Sequence, residues 1–163
     1  MNLLKKIKYK LVFIFKMFAI KMLYGKRFQP YDGLAFRKGF EVNLATDKAR
    51  VIIGKKVFFN NYCSINCHER IEIGDNCIFG ESVKIYDHNH RFRDINKTIM
   101  SQGYSTKSVT IGTNCWIGSN VCILPGSHIG DNVIIGAGTI ISGTIPDGMI
   151  VTANRELTMV RRD

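Results

Sequence analysis

From Ile111 the hydrophobic pattern runs in sixes. Aliphatic residues stand at Ile111, Ile117, Ile123, Ile129, Ile135 and Ile141, and glycine follows directly at Gly112, Gly118, Gly130 and Gly136. Four places after each aliphatic comes a second inward candidate: Cys115, Val121, Ser127, Val133, Thr139 and Ile145. An amphipathic helix repeats at about 3.6 residues and a strand at about 2, so neither accounts for a strict six. A solenoid does. Each six makes one short flat strand plus a corner, three sixes close a triangular coil, and successive coils pair as parallel strands about 4.8 Å apart. The pattern predicts an all-β solenoid over 34–152.

The same frame runs backward through Ile53-Gly54, Phe59 and Ile65, slips by two residues, and recovers at Ile73-Gly74, Phe79-Gly80 and Ile85. The slip predicts a bulged corner near Cys67 to Arg70. At Arg91 the repeat stops, and it resumes at Val109. The polar, basic stretch 91–108 therefore leaves the solenoid as one extruded loop, because a coil cannot absorb it without breaking its ladder. Upstream, Leu4, Ile7, Leu11, Ile14, Phe18 and Met22 recur at three, four and seven, which predicts an amphipathic α-helix ending at Gly25. Residues 1–33 form this helix and a linker, with a turn at Gln29 to Gly33. Residues 153–163 form a basic C-terminal tail.

Charge sharpens the picture of the helix. The chain carries +10 at neutral pH with a pI near 9.5, and much of the excess lies before residue 28. No nucleic-acid-binding signature accompanies it, so the partners left are an anionic surface or a phosphorylated ligand. Lysines interrupt the apolar run, which is too short to span a bilayer core of about 30 Å, and no signal-peptide cleavage pattern follows it. Phe13, Met17 and Ile20 lie off the main stripe. Two placements stand: packing on the solenoid or a neighbouring subunit, and lying on an anionic membrane with the lysines snorkelling. The five cysteines lack a C-x-x-C pair, and Cys63, Cys77 and Cys115 fall on inward positions. They are expected to be reduced fillers in a cytoplasmic protein, on the inner membrane face if the helix lies there, with no metal site.

Candidate chemistry gathers where the loop departs, in Tyr86-Asp87-His88-Asn89-His90. A histidine titrates near neutrality and can take and return a proton there. Asp87 can set the tautomer of a neighbouring ring.

The stretch I-G-T-N-C-W-I-G-S-N-V-C-I-L-P-G-S-H-I-G-D-N-V-I-I-G-A-G-T-I resembles the hexapeptide-repeat acyltransferases of left-handed parallel β-helix fold. This family includes galactoside and maltose acetyltransferases and O-acetyltransferases of bacterial surface polysaccharides. The resemblance runs from about Val51 to Pro146. It implies acetyl transfer from acetyl-CoA to a sugar hydroxyl, without a metal, in a homotrimer whose sites lie between subunits. In that family the catalytic histidine stands five places after the inward aliphatic preceding the loop, which here is His90. His88 is the second choice, with Asp87 as its orienter. Resemblance further places Trp116, Ser119, Ala137 and Ser142 along the acyl-CoA path, with the Ser119 N–H facing the oxyanion, and Asn60 on the acceptor. Tyr104 in the loop is a candidate contact to an acidic glycan acceptor or to the CoA phosphates. The family's G-N-P-A-K-V-like terminal segment is replaced by Thr152-Ala153-Asn154-Arg155-Glu156-Leu157.

Three alternatives stand beside this reading. A γ-class carbonic anhydrase shares the prism, but His68, His88, His90 and His128 lack its zinc spacing. A non-catalytic hexapeptide scaffold predicts indifference to His90→Ala. An N-acetyltransferase of a nucleotide amino sugar is the enzymatic runner-up. The D-H-N-H segment looks more like the polysaccharide O-acetyltransferases.

Overall fold

A computed structural model describes residues 3–153, with side chains from Lys10 onward. Three parallel sheets wind about one axis as a left-handed β-helix of about six turns. The first face stacks Phe28–Pro30, Arg50–Ile53, Arg70–Ile73, Val109–Ile111, His128–Ile129 and Thr144–Ile145. The second stacks Ala35–Phe36, Phe58–Phe59, Ile78–Phe79, Trp116–Ile117, Ile134–Ile135 and Ile150–Val151. The third stacks Glu41–Leu44, Ser64–Cys67, Lys84–Tyr86, Cys122–Ile123 and Ile140–Ile141.

The inward frame is the one the sixes dictate. Ile111, Ile117, Ile123, Ile129, Ile135 and Ile141 are buried, as are Cys115, Val121, Ser127, Val133 and Thr139. The two inward polar residues are satisfied by nearby carbonyls: Ser127 Oγ donates to Leu124 O at 2.7 Å, and Thr139 Oγ1 to Gly136 O at 2.7 Å. Corners turn through left-handed backbone, often on asparagine, with φ of 58° at Asn76, 54° at Asn114 and 57° at Asn132. Asparagine tolerates that region better than other residues with a Cβ. Two corner asparagines also bond between coils, Asn114 Nδ2 to Asn132 Oδ1 at 2.8 Å.

Winding begins earlier than the repeats predict. Phe28–Pro30 already pairs with Val51–Ile53, so Gln29 and Pro30, expected in the linker turn, belong to the first strand of the first coil, and the turn follows at Asp32 and Gly33. The early coils are filled by aromatic rings. Phe13, Phe36, Phe40, Phe59 and Phe79 stack in sequence with centroid spacings of 4.4–4.8 Å. Phe13 belongs to the helix α1 (Leu3–Tyr24), which lies across the first coil and closes its apolar end. Its packed face is Phe13, Met17, Ile20 and Tyr24, anchored by the Tyr24 hydroxyl on Val42 O at 3.2 Å. The stripe Leu11, Ile14, Phe18 and Met22 faces outward instead. Of the basic tail, residues 154–163 lie outside the described residues, as do the side chains of Leu4 and Ile7.

The expected loop leaves through the corner between the third and first faces. Its base is an antiparallel hairpin, His88–His90 against Tyr104–Thr106, so the departure starts three residues before Arg91. Asp94 and Gln102 close the hairpin's far part through a reciprocal pair at 3.1 and 3.0 Å.

Candidate active site

The corner from which the hairpin departs is organised by one carboxylate. Asp87 is fully buried, and three successive backbone N–H groups of the preceding coil point at it. His68 N donates to Oδ1 at 2.8 Å, while Glu69 N and Arg70 N donate to Oδ2 at 2.7 and 2.9 Å. Cys67 Sγ lies 3.3 Å from Oδ2. Burial first, and then the Asp87 charge, push the Cys67 thiol up to about 12, so it remains a neutral donor. The donors come from the bulge at Cys67 to Arg70, the two-residue slip in the sequence. Without that slip there would be no free amides for the carboxylate to collect. The Asp87 main chain also grips the far base of the hairpin, accepting from Lys107 N at 2.8 Å.

Above this anchor the rings assemble in layers. His88 Nδ1 stands 3.1 Å from Asp87 Oδ1. An ionised carboxylate only accepts, so Nδ1 carries the hydrogen and Nε2 is left as the basic nitrogen. The His88 ring stacks on His68 with centroids 3.6 Å apart, and the Tyr104 ring meets the edge of His68 at 4.5 Å. Burial, then the neighbouring His88, hold His68 below the ordinary histidine value, against the opposing pull of Asp87. His90 is the outermost imidazole. Its side chain is exposed, and its ring lies 4.5 Å from Tyr104, which pairs with it across the hairpin.

The other predicted residues occupy different places. Asn60, Ser119 and Ala137 line the next edge of the prism, between the second and third faces. Asn60 Oδ1 accepts from Asn61 N at 2.9 Å and from Arg37 Nη1 at 3.4 Å. Ser119 Oγ accepts from Glu81 N at 3.1 Å, and among the described residues its own N–H has no acceptor. Ala137 is exposed beside Gly138, so this edge carries small side chains. Trp116 projects from the second face, about half exposed. Ser142 sits two coils beyond the histidines on their own edge. The third face thus separates the histidine cluster from Ser119 and Ala137 within one chain.

His68 is the member that sequence spacing missed, entering only as a discounted zinc ligand. The signal was available. Ile65 pairs with Ile85, and the same offset of twenty carries His68 onto His88. Among the described residues no three His, Cys, Asp or Glu side chains converge on a metal position.

A prism of stacked hexapeptides carrying a histidine-lined hairpin at one corner defines a class, the β-helical hexapeptide-repeat proteins. Residues 108–143 match the bacterial transferase hexapeptide (six repeats) family. It is 29% identical over 127 residues to the putative lipopolysaccharide biosynthesis O-acetyl transferase WbbJ of Escherichia coli, covering 73% of this chain and 65% of that one. Its fold is similar to a maltose O-acetyltransferase from Clostridium difficile, with TM-score 0.70, 28% identity, and coverage of 87% and 75%. It is also similar to a galactoside acetyltransferase in complex with coenzyme A, with TM-score 0.65, 28% identity, and coverage of 82% and 64%. The chain spans half to about two thirds of the length of the relatives it matches in sequence.

Proposed function

We propose that the protein is an acetyl-CoA-dependent O-acetyltransferase acting on a sugar hydroxyl, of a bacterial surface polysaccharide or its lipid-linked precursor. One observation carries this: an accessible imidazole, His90, stands over a rigid carboxylate-anchored corner, while the neighbouring edge offers a free N–H and small residues. The similar proteins named above supply the substrate class.

His90 takes the proton of the acceptor hydroxyl as its oxygen attacks the thioester carbonyl carbon. The tetrahedral oxyanion is met by the Ser119 N–H, and the C–S bond then breaks. The departing sulfur recovers the proton from the imidazolium, so the protein returns to its starting state. His88 and Asp87 hold the hairpin that carries His90, Tyr104 and Asn60 contact the acceptor, and the acyl donor runs past Trp116, Ser119, Ala137 and Ser142. Because His90 and Ser119 lie on different edges of one prism, a site needs the edges of two chains, which supports a homotrimer. Exposed apolar residues on the hairpin agree with this, since Ile95 is 93% and Met100 88% accessible in the single chain.

The bond between Asp87 and His88 favours a second assignment, in which His88 Nε2 is the base. Acetyl-CoA turnover against a glycan panel separates the two. Loss of kcat on His90→Ala, with a milder defect for His88→Ala, supports the first assignment, and the reverse order establishes the second. Product acetyl groups released by mild base are esters, whereas resistant ones are amides and overturn the O-transfer. Equal turnover in both variants and the parent removes the histidine mechanism altogether.

A further inference from the structure

The helix α1 has two apolar faces, and the prism uses only one. Phe13, Met17, Ile20 and Tyr24 pack on the first coil, while Leu11, Ile14, Phe15, Phe18, Met22 and Leu23 stand 53–75% accessible. At 3.6 residues per turn these six positions cover roughly half the circumference, centred opposite the packed face. Among the described side chains of the helix, the lysines fall on the borders between the two faces, Lys10 and Lys21 on one side and Lys16 on the other. The whole helix carries six lysines and no acidic residue. Lys26 and Arg27 follow its end.

We infer that this face is a docking surface for an anionic lipid bilayer, with α1 lying in the plane of the headgroups between membrane and prism. A second copy of a soluble protein would match an exposed apolar face with apolar surface and little charge. Here the borders hold Lys10 and Lys21 on one side and Lys16 on the other, cations on long stems that reach sideways to phosphate while the arc between them enters the acyl boundary. Crossing is not the mode, since no described helix is long and apolar enough to span a membrane. The surface lies apart from the histidine hairpin and does not depend on the catalytic assignment. It would hold the enzyme where a lipid-borne acceptor is found.

The test uses the full chain with vesicles of phosphatidylcholine alone and of phosphatidylcholine doped with phosphatidylglycerol. Sedimentation with the doped vesicles at low salt, and weaker association with the neutral ones, is expected. Phe15→Ser with Phe18→Ser should lower the partition coefficient roughly ten-fold or more, because two large side chains no longer enter the acyl boundary. Lys16→Glu with Lys21→Glu should remove the preference for the anionic vesicles. In the Phe15→Trp variant, fluorescence should shift to the blue on adding doped vesicles, a readout that does not rely on the double variants folding. No association at low salt, or association unchanged by Phe15→Ser with Phe18→Ser, overturns the inference. So does a smaller particle mass for that variant without any vesicle binding, which would assign the face to a second copy of this chain.

Discussion

At the scale of single residues, Asp87 decides whether the corner exists. Replacing it with alanine strands three adjacent backbone donors and leaves His88 without its Nδ1 acceptor. Loss of about 3–5 kcal/mol is expected from orphaning so many donors around a buried carboxylate, read as a shift of the urea midpoint. Asp87→Asn keeps one acceptor oxygen and should fall between. His68 gives the corner a pH response. Its proton affinity in the fold lies below the ordinary value of 6.5, so just under that pH the unfolded chain binds more protons than the native one. Stability therefore falls as pH drops through this window and is unaffected above it. An NMR titration should place the His68 midpoint below 6.5, and His68→Phe should flatten the acid limb of the stability curve while keeping the ring stack.

At the scale of elements, the coil spacing is enforced where backbones meet. A Cβ added at Gly80 would come within 2.5 Å of Ser119 N and 2.8 Å of Gly118 C, backbone atoms that can move only if the coils part. At Gly136 the nearest neighbour is the Thr152 methyl at 3.2 Å. Gly80→Ala should cost about 1–3 kcal/mol, the usual range for overpacking, and Gly136→Ala much less. Thermal unfolding of the two variants checks the contrast, and Gly80→Ala should also impair turnover by displacing the Ser119 amide. The coils were legible in the sequence because two inward positions in every six leave a periodicity that nothing else produces. The orientation of α1 was not. Leu11, Ile14, Phe18 and Met22 form the more regular stripe, yet Phe13, Met17 and Ile20 meet the prism. Periodicity finds an apolar face but does not say which partner lies against it, and Phe13 is selected by the column of phenylalanines it completes. The start of the hairpin at His88 was hidden for a related reason. Asn89 and His90 pair with residues fourteen or more places away, and no local pattern announces that pairing.

At the scale of the whole molecule, the placement of His90 and Ser119 on different edges makes a quantitative demand. Each competent site in the proposed homotrimer takes its imidazole from one chain and its acyl-donor edge from the next. His90→Ala destroys one contribution, and Ala137→Trp, which fills the exposed small-residue edge, destroys the other. Either variant alone should be inactive as a pure trimer. Co-expressed in equal amounts and assembled at random, a chain with intact His90 meets a neighbour with an intact donor edge in about one arrangement in four, so about a quarter of parental turnover should return. Mixing after assembly should restore none until the subunits exchange. Complete inactivity of the co-expressed mixture, with trimers present by mass, would mean that both edges of a site come from one chain. The third face would then have to be crossed by the substrate itself, and the seam between copies would be structural.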